Sequence, residues 1–341
     1  MIETVTQIWQ RVLGRPSIGA DENFFSLGGN LYSADLLFEE IAHQLGRELP
    51  SATIYYAQTI ALLSALLEQP SLPRFSPLVE VKAGSEDPPV LIVHGLGGTV
   101  PFFDLAQHID TTSPVYGFQA QGVDGAAEPL ACIEDMAALY LDSLKHLQPQ
   151  GPYCLIGYSF GGLVALEMAQ RLTANGEKIA LLALVDAYPD ARYLALGQRV
   201  LLVARRGRRF VFGGNNRLSR AIGYIDAKLP FRLRTKRVHL GGDRAPGASP
   251  SSFAYTTLRV KEKAYEALAR YRPRYYPGEI KFIKSESDSY FPSDPVAVWS
   301  KLAKGFDFEK VPGGHLDLVT TDFENLAAVL TRHLKDALGR R

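Results

Sequence analysis

At 341 residues, with 46% hydrophobic residues, 21% charged residues and a net charge of +1, the chain can fill more than one core and has no charge excess that would mark a nucleic-acid partner. Its two cysteines, Cys132 and Cys154, are too few for a disulfide framework. Nothing at the N-terminus reads as a secretory signal and no apolar run approaches membrane-spanning length, so the expectation is a reduced cytoplasmic protein with no stable membrane insertion.

Charge is informative once divided. Residues 1–69 hold eight acids against Arg11, Arg15 and Arg47, a net −5, whereas residues 201–244 hold ten arginines and two lysines against two aspartates, a net +10. Within the acidic region, LGGNLYSAD (27–35) follows the acidic-aromatic DENFF and precedes the amphipathic LLFEEIAHQLG, so it lies where a loop turns into a helix. The prolines of PSLPRFSPL (70–78) forbid a continuous helix. They predict a linker at 70–77 between a domain at 1–69 and a larger one at 78–341.

From Leu78 onward, short branched apolar runs alternate with longer segments of helical period. VLIVHG (90–95), PVYGFQ (114–119), PYCLIGYS (152–159), IALLALVDA (179–187) and EIKFIKS (279–285) read as buried strands, separated by helical patterns such as DMAALYLDSLKHL and GLVALEMAQRL. The alternation predicts an α/β domain with a mostly parallel sheet covered on both faces.

One strand runs into Gly157-Tyr158-Ser159-Phe160-Gly161-Gly162 and then into a helix. In this G-x-S-x-G elbow the glycines permit a sharp turn that lifts the serine above the sheet. A serine hydroxyl needs a base at neutral pH, and the base needs an orienting acid. His315, in VPGGHLDLV after the strand FDFEKV, stands where the chain order Ser, Asp, His requires the base. His94, His239 and His333 fit that place worse. For the acid there are two candidates: Asp186, 27 positions after Ser159, and Asp288 in SESDSY. Asp186 is preferred because it is the polar terminus of an otherwise apolar strand. The tetrahedral oxyanion calls for two backbone N–H donors, assigned to Phe160 and to Leu96 in HGLGG (94–98). No metal is expected.

SPLVEVKAG, VLIVHGLGG, PVYGFQAQGVDG, the stretch from Ile133 through the elbow to Ala169, LVDAYPD, ALARYRPRYYPGEIKFIKSE and VPGGHLDLV together resemble, in order, the type I thioesterase domains of nonribosomal peptide and polyketide synthetases. The resemblance implies an α/β-hydrolase fold with a helical lid at about 190–265. It also implies a serine that takes an acyl or peptidyl chain from a carrier's phosphopantetheine thiol and releases it to water or to an internal nucleophile, and a triad acid where Asp186 stands. Gly314 departs from the pattern, which commonly has a polar residue before the histidine. Lid arginines, among them Arg205, Arg206, Arg208 and Arg209, are expected to meet a phosphopantetheine phosphate or the acidic first domain.

That first domain resembles the four-helix carrier domains of the same synthetases over ETVTQIWQRVLG, DENFFSLGG and LPSATIYYAQTIALLSALL. The family motif follows LGG with Asp or His and then the serine that bears the phosphopantetheine arm. Here Asn30 and Leu31 fill those places. Ser33 is the nearest hydroxyl, but two positions along a helix turn it about 200° away, and a core or capping role suits it better. The sequence therefore predicts a thioesterase joined to a carrier-like domain without its arm, with the substrate's phosphopantetheine supplied by a partner carrier or synthetase. Related expectations are an acyltransferase using an alcohol or amine, an inactive docking module, or a lipase-type esterase acting on free esters. If Met1 is the native start, the protein is expected to stand free of a synthetase.

Overall fold

The computed structural model describes residues 1–55, 57–70, 75–86, 88–98, 102–194, 253–287 and 294–339. Asp288, His239 and the arginines at 205–209 lie outside the described residues, as does most of the stretch expected to form the lid.

The N-terminal part is a helical bundle. In α1 (Ile2–Leu13), Val5, Ile8 and Trp9 recur at helical spacing and are fully buried. Gly14 ends the helix in the left-handed region, φ 65°. Then come α2 (Leu31–Leu45), a 3₁₀ turn (Ser51–Tyr55) and α3 (Ile60–Leu67), which starts at Thr59 because that hydroxyl accepts from the Leu62 N–H. Trp9 meets Phe24 edge to face at 5.1 Å, at the centre of a core that includes Leu37, Ile41, Ile54 and Leu63.

A seven-stranded sheet follows: β1 (Leu78–Lys82), β2 (Val90–Val93), β3 (Val115–Phe118), β4 (Tyr153–Tyr158), β5 (Ile179–Val185), β6 (Tyr276–Ser285) and β7 (Ala303–Val311). The order is β1-β3-β2-β4-β5-β6-β7, with β1 antiparallel to β3 and every other pair parallel. β2 and β4 are buried along their whole length, as continuous apolar runs in a covered parallel sheet should be. The alternating apolar runs do not predict β1, because LVEVK lies partly exposed on an edge.

Helices cover both faces. One face packs α5 (Ile133–Leu147), α6 (Gly161–Ala174) and α7 (Phe253–Arg270) around Tyr140, Leu163, Tyr271 and Trp299. The other packs α4 (Phe103–His108) and α10 (Phe323–Leu338) around Phe102, Ile156, Leu326 and Leu330. Two short helices, α8 (Val296–Trp299) and α9 (Asp317–Thr320), lie beside β7 and before α10. This is an α/β-hydrolase fold preceded by a carrier-like helical bundle. α7 begins inside the expected lid stretch and is anchored at its far end, where Tyr271 Oη donates to Glu167 on α6 at 3.1 Å and Arg274 pairs with the same carboxylate at 3.2 Å.

Candidate active site

The site forms at the C-terminal ends of β4 and β5. Tyr158 and Val185 are paired across these strands, so the residues that follow, Ser159 and Asp186, leave the sheet side by side. Both have positive φ, 54° and 46°, a conformation that costs a side-chain-bearing residue roughly 1–2 kcal/mol. The surroundings hold both turns in place: the Ser159 N–H donates to Val185 O at 2.8 Å and the Asp186 N–H to Ile283 O at 2.8 Å. Gly161 lets α6 start against β2, since a Cβ there would lie 2.2 Å from His94 O.

His315, in the loop after β7, bridges the two. Its Nε2 lies 3.0 Å from Ser159 Oγ and its Nδ1 lies 3.1 Å from Asp186 Oδ2. Because a carboxylate only accepts, Nδ1 carries the proton and Nε2 is left to accept from the serine. Asp186 is fully buried, with Ser285 donating its N–H to Oδ1 at 3.1 Å and its hydroxyl to Oδ2. Burial pushes this carboxyl up, but the bonds from His315 and Ser285 and the charges of His315 and Lys284 outweigh it, holding it below the ordinary carboxylate range. Ser159 retains 8% exposure at the floor of the site.

Of the expected oxyanion donors, one adjoins the serine in sequence and the other belongs to a turn in which a Cβ on Gly95 would stand 3.8 Å from Ser159 Cβ. Phe160 follows Ser159 directly at the head of α6, and Leu96 lies in the turn after β2. Among the described residues neither backbone N–H is taken by another acceptor. The arrangement can transfer a proton from Ser159 to His315.

At the start of α2, Asn30 is the N-cap. Its side chain accepts from the N–H groups of Tyr32 (3.0 Å) and Ser33 (3.2 Å), while Ser33 Oγ accepts from the Asn30 N–H at 2.8 Å. Ser33 Oγ also donates to Asn30 O at 3.0 Å and the residue is 7% exposed, so its hydroxyl is committed to the cap.

Comparison with known proteins matches residues 88–202 to the thioesterase domain family and residues 3–67 to the phosphopantetheine attachment site family. Malpibaldin synthetase of Mortierella alpina is 34% identical over 285 residues, 82% of this chain and 5% of that protein. The dimodular nonribosomal peptide synthase of Bacillus subtilis (strain 168) is 36% identical over 190 residues, 55% of this chain and 8% of that protein. The chain is a carrier–thioesterase didomain resembling those of nonribosomal peptide synthetases. It thus spans a small fraction of the length of these relatives. The didomain shares its fold with a holo four-domain nonribosomal peptide synthetase bound to AMP and glycine, at TM-score 0.59 and 23% identity over 98% of this chain and 26% of the other. It also shares the thioesterase fold with the type II thioesterase BorB of the borrelidin biosynthetic cluster, at TM-score 0.53 and 20% identity over 75% of this chain and 97% of that one.

Although the attachment-site family matches the didomain's N-terminal part, the residues there do not fit a covalent arm: Leu31 opens α2, and the Ser33 hydroxyl is closed into the cap. Two residues near the triad were not singled out from sequence for the places they hold. Tyr158, the variable position of the elbow, donates its hydroxyl to His315 O at 2.7 Å and stacks on the imidazole at 4.9 Å and 18°. His94 opens the HGLGG turn, with Nδ1 2.6 Å from Gly95 O and Nε2 2.5 Å from Tyr140 Oη. The carbonyl can only accept, so Nδ1 is protonated and the Tyr140 hydroxyl donates to Nε2. Burial lowers the His94 pKa to about 4 against the bond to Gly95, which raises it, so the ring is neutral near pH 7. His333 is bound to Glu309 at 2.6 Å on α10, away from the triad. The loop bonding left open by Gly314 is supplied by Asp317, whose carboxylate accepts from the Gly314 N–H at 3.1 Å. A Cβ at Gly314 would sit 2.4 Å from that carboxylate oxygen, so the glycine makes the approach possible. No helix among the described residues is long and apolar enough to cross a membrane.

Proposed function

We propose that the chain is a serine thioesterase that takes an acyl or peptidyl chain from the phosphopantetheine thiol of a partner's carrier domain. The observation that carries this reading is the hydrogen-bonded line Ser159 Oγ, His315 Nε2, His315 Nδ1, Asp186 Oδ2, at 3.0 and 3.1 Å.

Ser159 Oγ attacks the thioester carbonyl as His315 Nε2 takes its proton, and the N–H groups of Phe160 and Leu96 stabilise the oxyanion. Asp186 keeps the ring in the required tautomer and balances the imidazolium. As the tetrahedral species collapses, the C–S bond breaks and His315 returns the proton to the departing thiolate, leaving the chain as an ester on Ser159. Water or an internal amine or hydroxyl of the chain then attacks that ester, His315 accepts its proton, and as the acyl–Oγ bond breaks His315 returns that proton to Ser159 Oγ. The division into a carrier-like domain at 1–69, a linker at 70–77 and a thioesterase domain at 78–341, and a cytoplasmic location, belong to this reading. So does a synthetase or free carrier as the donor, since Leu31 leaves this chain without an attachment hydroxyl of its own.

The test is intact-mass analysis during turnover of a carrier-bound acyl thioester. An acyl adduct mapped to Ser159 and absent from Ser159→Ala supports the reading, and turnover by Ser159→Ala at the wild-type rate defeats it.

A further inference from the structure

We infer that the carrier-like domain is a fixed buttress of the oxyanion loop and not a swinging arm. The inference rests on the proposed roles of Ser159 and Leu96.

The helical bundle does not complete its core alone. Ala120 and Val123, in the turn after β3, and Val260, on α7, belong to the same buried apolar cluster as Val5, Trp9, Phe24 and Leu37 and are 5%, 1% and 3% exposed. α2 packs against α7, and at a second point Ser26 Oγ donates to Asp104 Oδ2 on α4 at 3.4 Å. Residues buried to this degree resemble an interior more than the partly polar contact of domains that part and rejoin.

From that shared core the contacts run into the HGLGG turn. The Ala120 N–H donates to Gly98 O at 2.7 Å, and Gly98 lies so close beneath α7 that a Cβ on it would stand 2.4 Å from Val260 Cγ1 and 2.8 Å from Ala120 Cβ. Thr256 Oγ1 donates to Val123 O at 2.9 Å, tying α7 to the turn after β3. The Gly98 N–H donates to Gly95 O at 3.2 Å, the carbonyl that also accepts from His94. Leu96 is therefore held between an inner anchor, His94 with Tyr140, and an outer wall made of Ala120, Val123 and Val260. The carrier-like domain keeps that wall dry. A domain with no attachment hydroxyl keeps a purpose in this position, because an oxyanion donor works only when it is fixed in advance.

A buttress affects every substrate, including one that needs no carrier. The probe is a small alkyl fluorophosphonate, in which Ser159 Oγ bonds to phosphorus, His315 takes the serine proton and fluoride leaves. In the full chain, Val260→Asp and Val123→Asp should each slow labelling of Ser159 by about tenfold or more and lower kcat on a small N-acetylcysteamine thioester in parallel, with KM little changed. A second arm covers loss of folding: Ser26→Cys with Asp104→Cys, oxidised to a disulfide, pins the domain down. The pinned protein should label and turn over at the wild-type rate, and the same disulfide should recover labelling in Val260→Asp. Wild-type labelling rates in both Val variants, or loss of activity on pinning, would overturn the buttress. A wild-type chain that is not labelled at Ser159 would instead remove the nucleophile assignment, and this inference with it.

Discussion

The hydroxyl of Tyr158 donates to the backbone carbonyl of His315 at 2.7 Å while its ring lies stacked on the His315 imidazole, so one side chain holds His315 by both its main chain and its face. Burial, then the charges of Asp186 and Asp317, pushes the phenol well above its ordinary pKa, so the group stays a donor throughout the working range. Tyr158→Phe keeps the stack and removes the bond. A net hydrogen bond of about 1 kcal/mol predicts a loss of roughly fivefold to tenfold in kcat for a small thioester, with KM little changed. Steady-state kinetics at several pH values checks this, and an unchanged kcat would mean that Asp317 and the chain hold the loop without Tyr158.

Asp186→Asn tests the acid. Asn tolerates the left-handed backbone found here, so the fold should survive while the tautomer control is lost. The expected fall in kcat is on the order of 10⁴. Ser285→Ala, which removes one donor to the same carboxylate, should cost far less. If Asp288→Asn were the crippling change and Asp186→Asn mild, the assignment would be wrong.

The hydrogen-bonded grouping of Ser159, His315 and Asp186 was legible because each residue has a local signature. Ser159 sits between paired glycines, Asp186 ends an apolar strand, and His315 falls in the loop that chain order demands. Tyr158 and His94 have none, since the variable position of the elbow admits many side chains and a histidine at the start of a turn looks like any other. Nor does sequence mark Ala120, Val123 and Val260, ordinary small apolar residues that become an interdomain core only once the chain is folded. The antiparallel edge strand β1 was hidden for a related reason: half exposed, it lacks the continuous apolar run that betrays its neighbours. The charge contrast between residues 1–69 and 201–244 is plain in the sequence, but its basic half lies outside the described residues.

His94 makes acid stability measurable. Its folded pKa of about 4 lies below the ordinary value of 6.5, so between those values the unfolded chain binds the extra proton. The native state is favoured fully above pH 6.5 and loses ground as pH falls toward 4, by up to about 1.4 kcal/mol per pH unit. Denaturant melts from pH 7.5 to 4.5 should show this slope in the wild type and a flatter one in His94→Gln. Equal slopes would rule His94 out as the source.

Incubation with a promiscuous phosphopantetheinyl transferase should leave the mass of the chain unchanged, because Leu31 opens α2 and the Ser33 hydroxyl is closed into the cap. Leu31→Ser should gain the mass of one phosphopantetheine group, since the Leu27-Gly28-Gly29 turn and the Asn30 cap still precede the helix. Modification of the unaltered chain at Ser33, located by fragment mass spectrometry, would make it a self-loading pair.

Because the Ser159 N–H donates to Val185 O and Tyr158 faces Val185 across adjacent parallel strands, Ser159 and Asp186 are spaced by a strand pair, with no loop between them. Only the third member, His315, arrives on a surface connection. Chimeras that exchange the 190–265 stretch or the carrier-like domain to change substrate scope should therefore inherit the Ser159–Asp186 separation unaltered. Such transplants leave two things to re-fit, the pose of the His315 imidazole and the apolar wall that the exchanged piece presents to the HGLGG turn, so screening for recovery is a search in a few short segments.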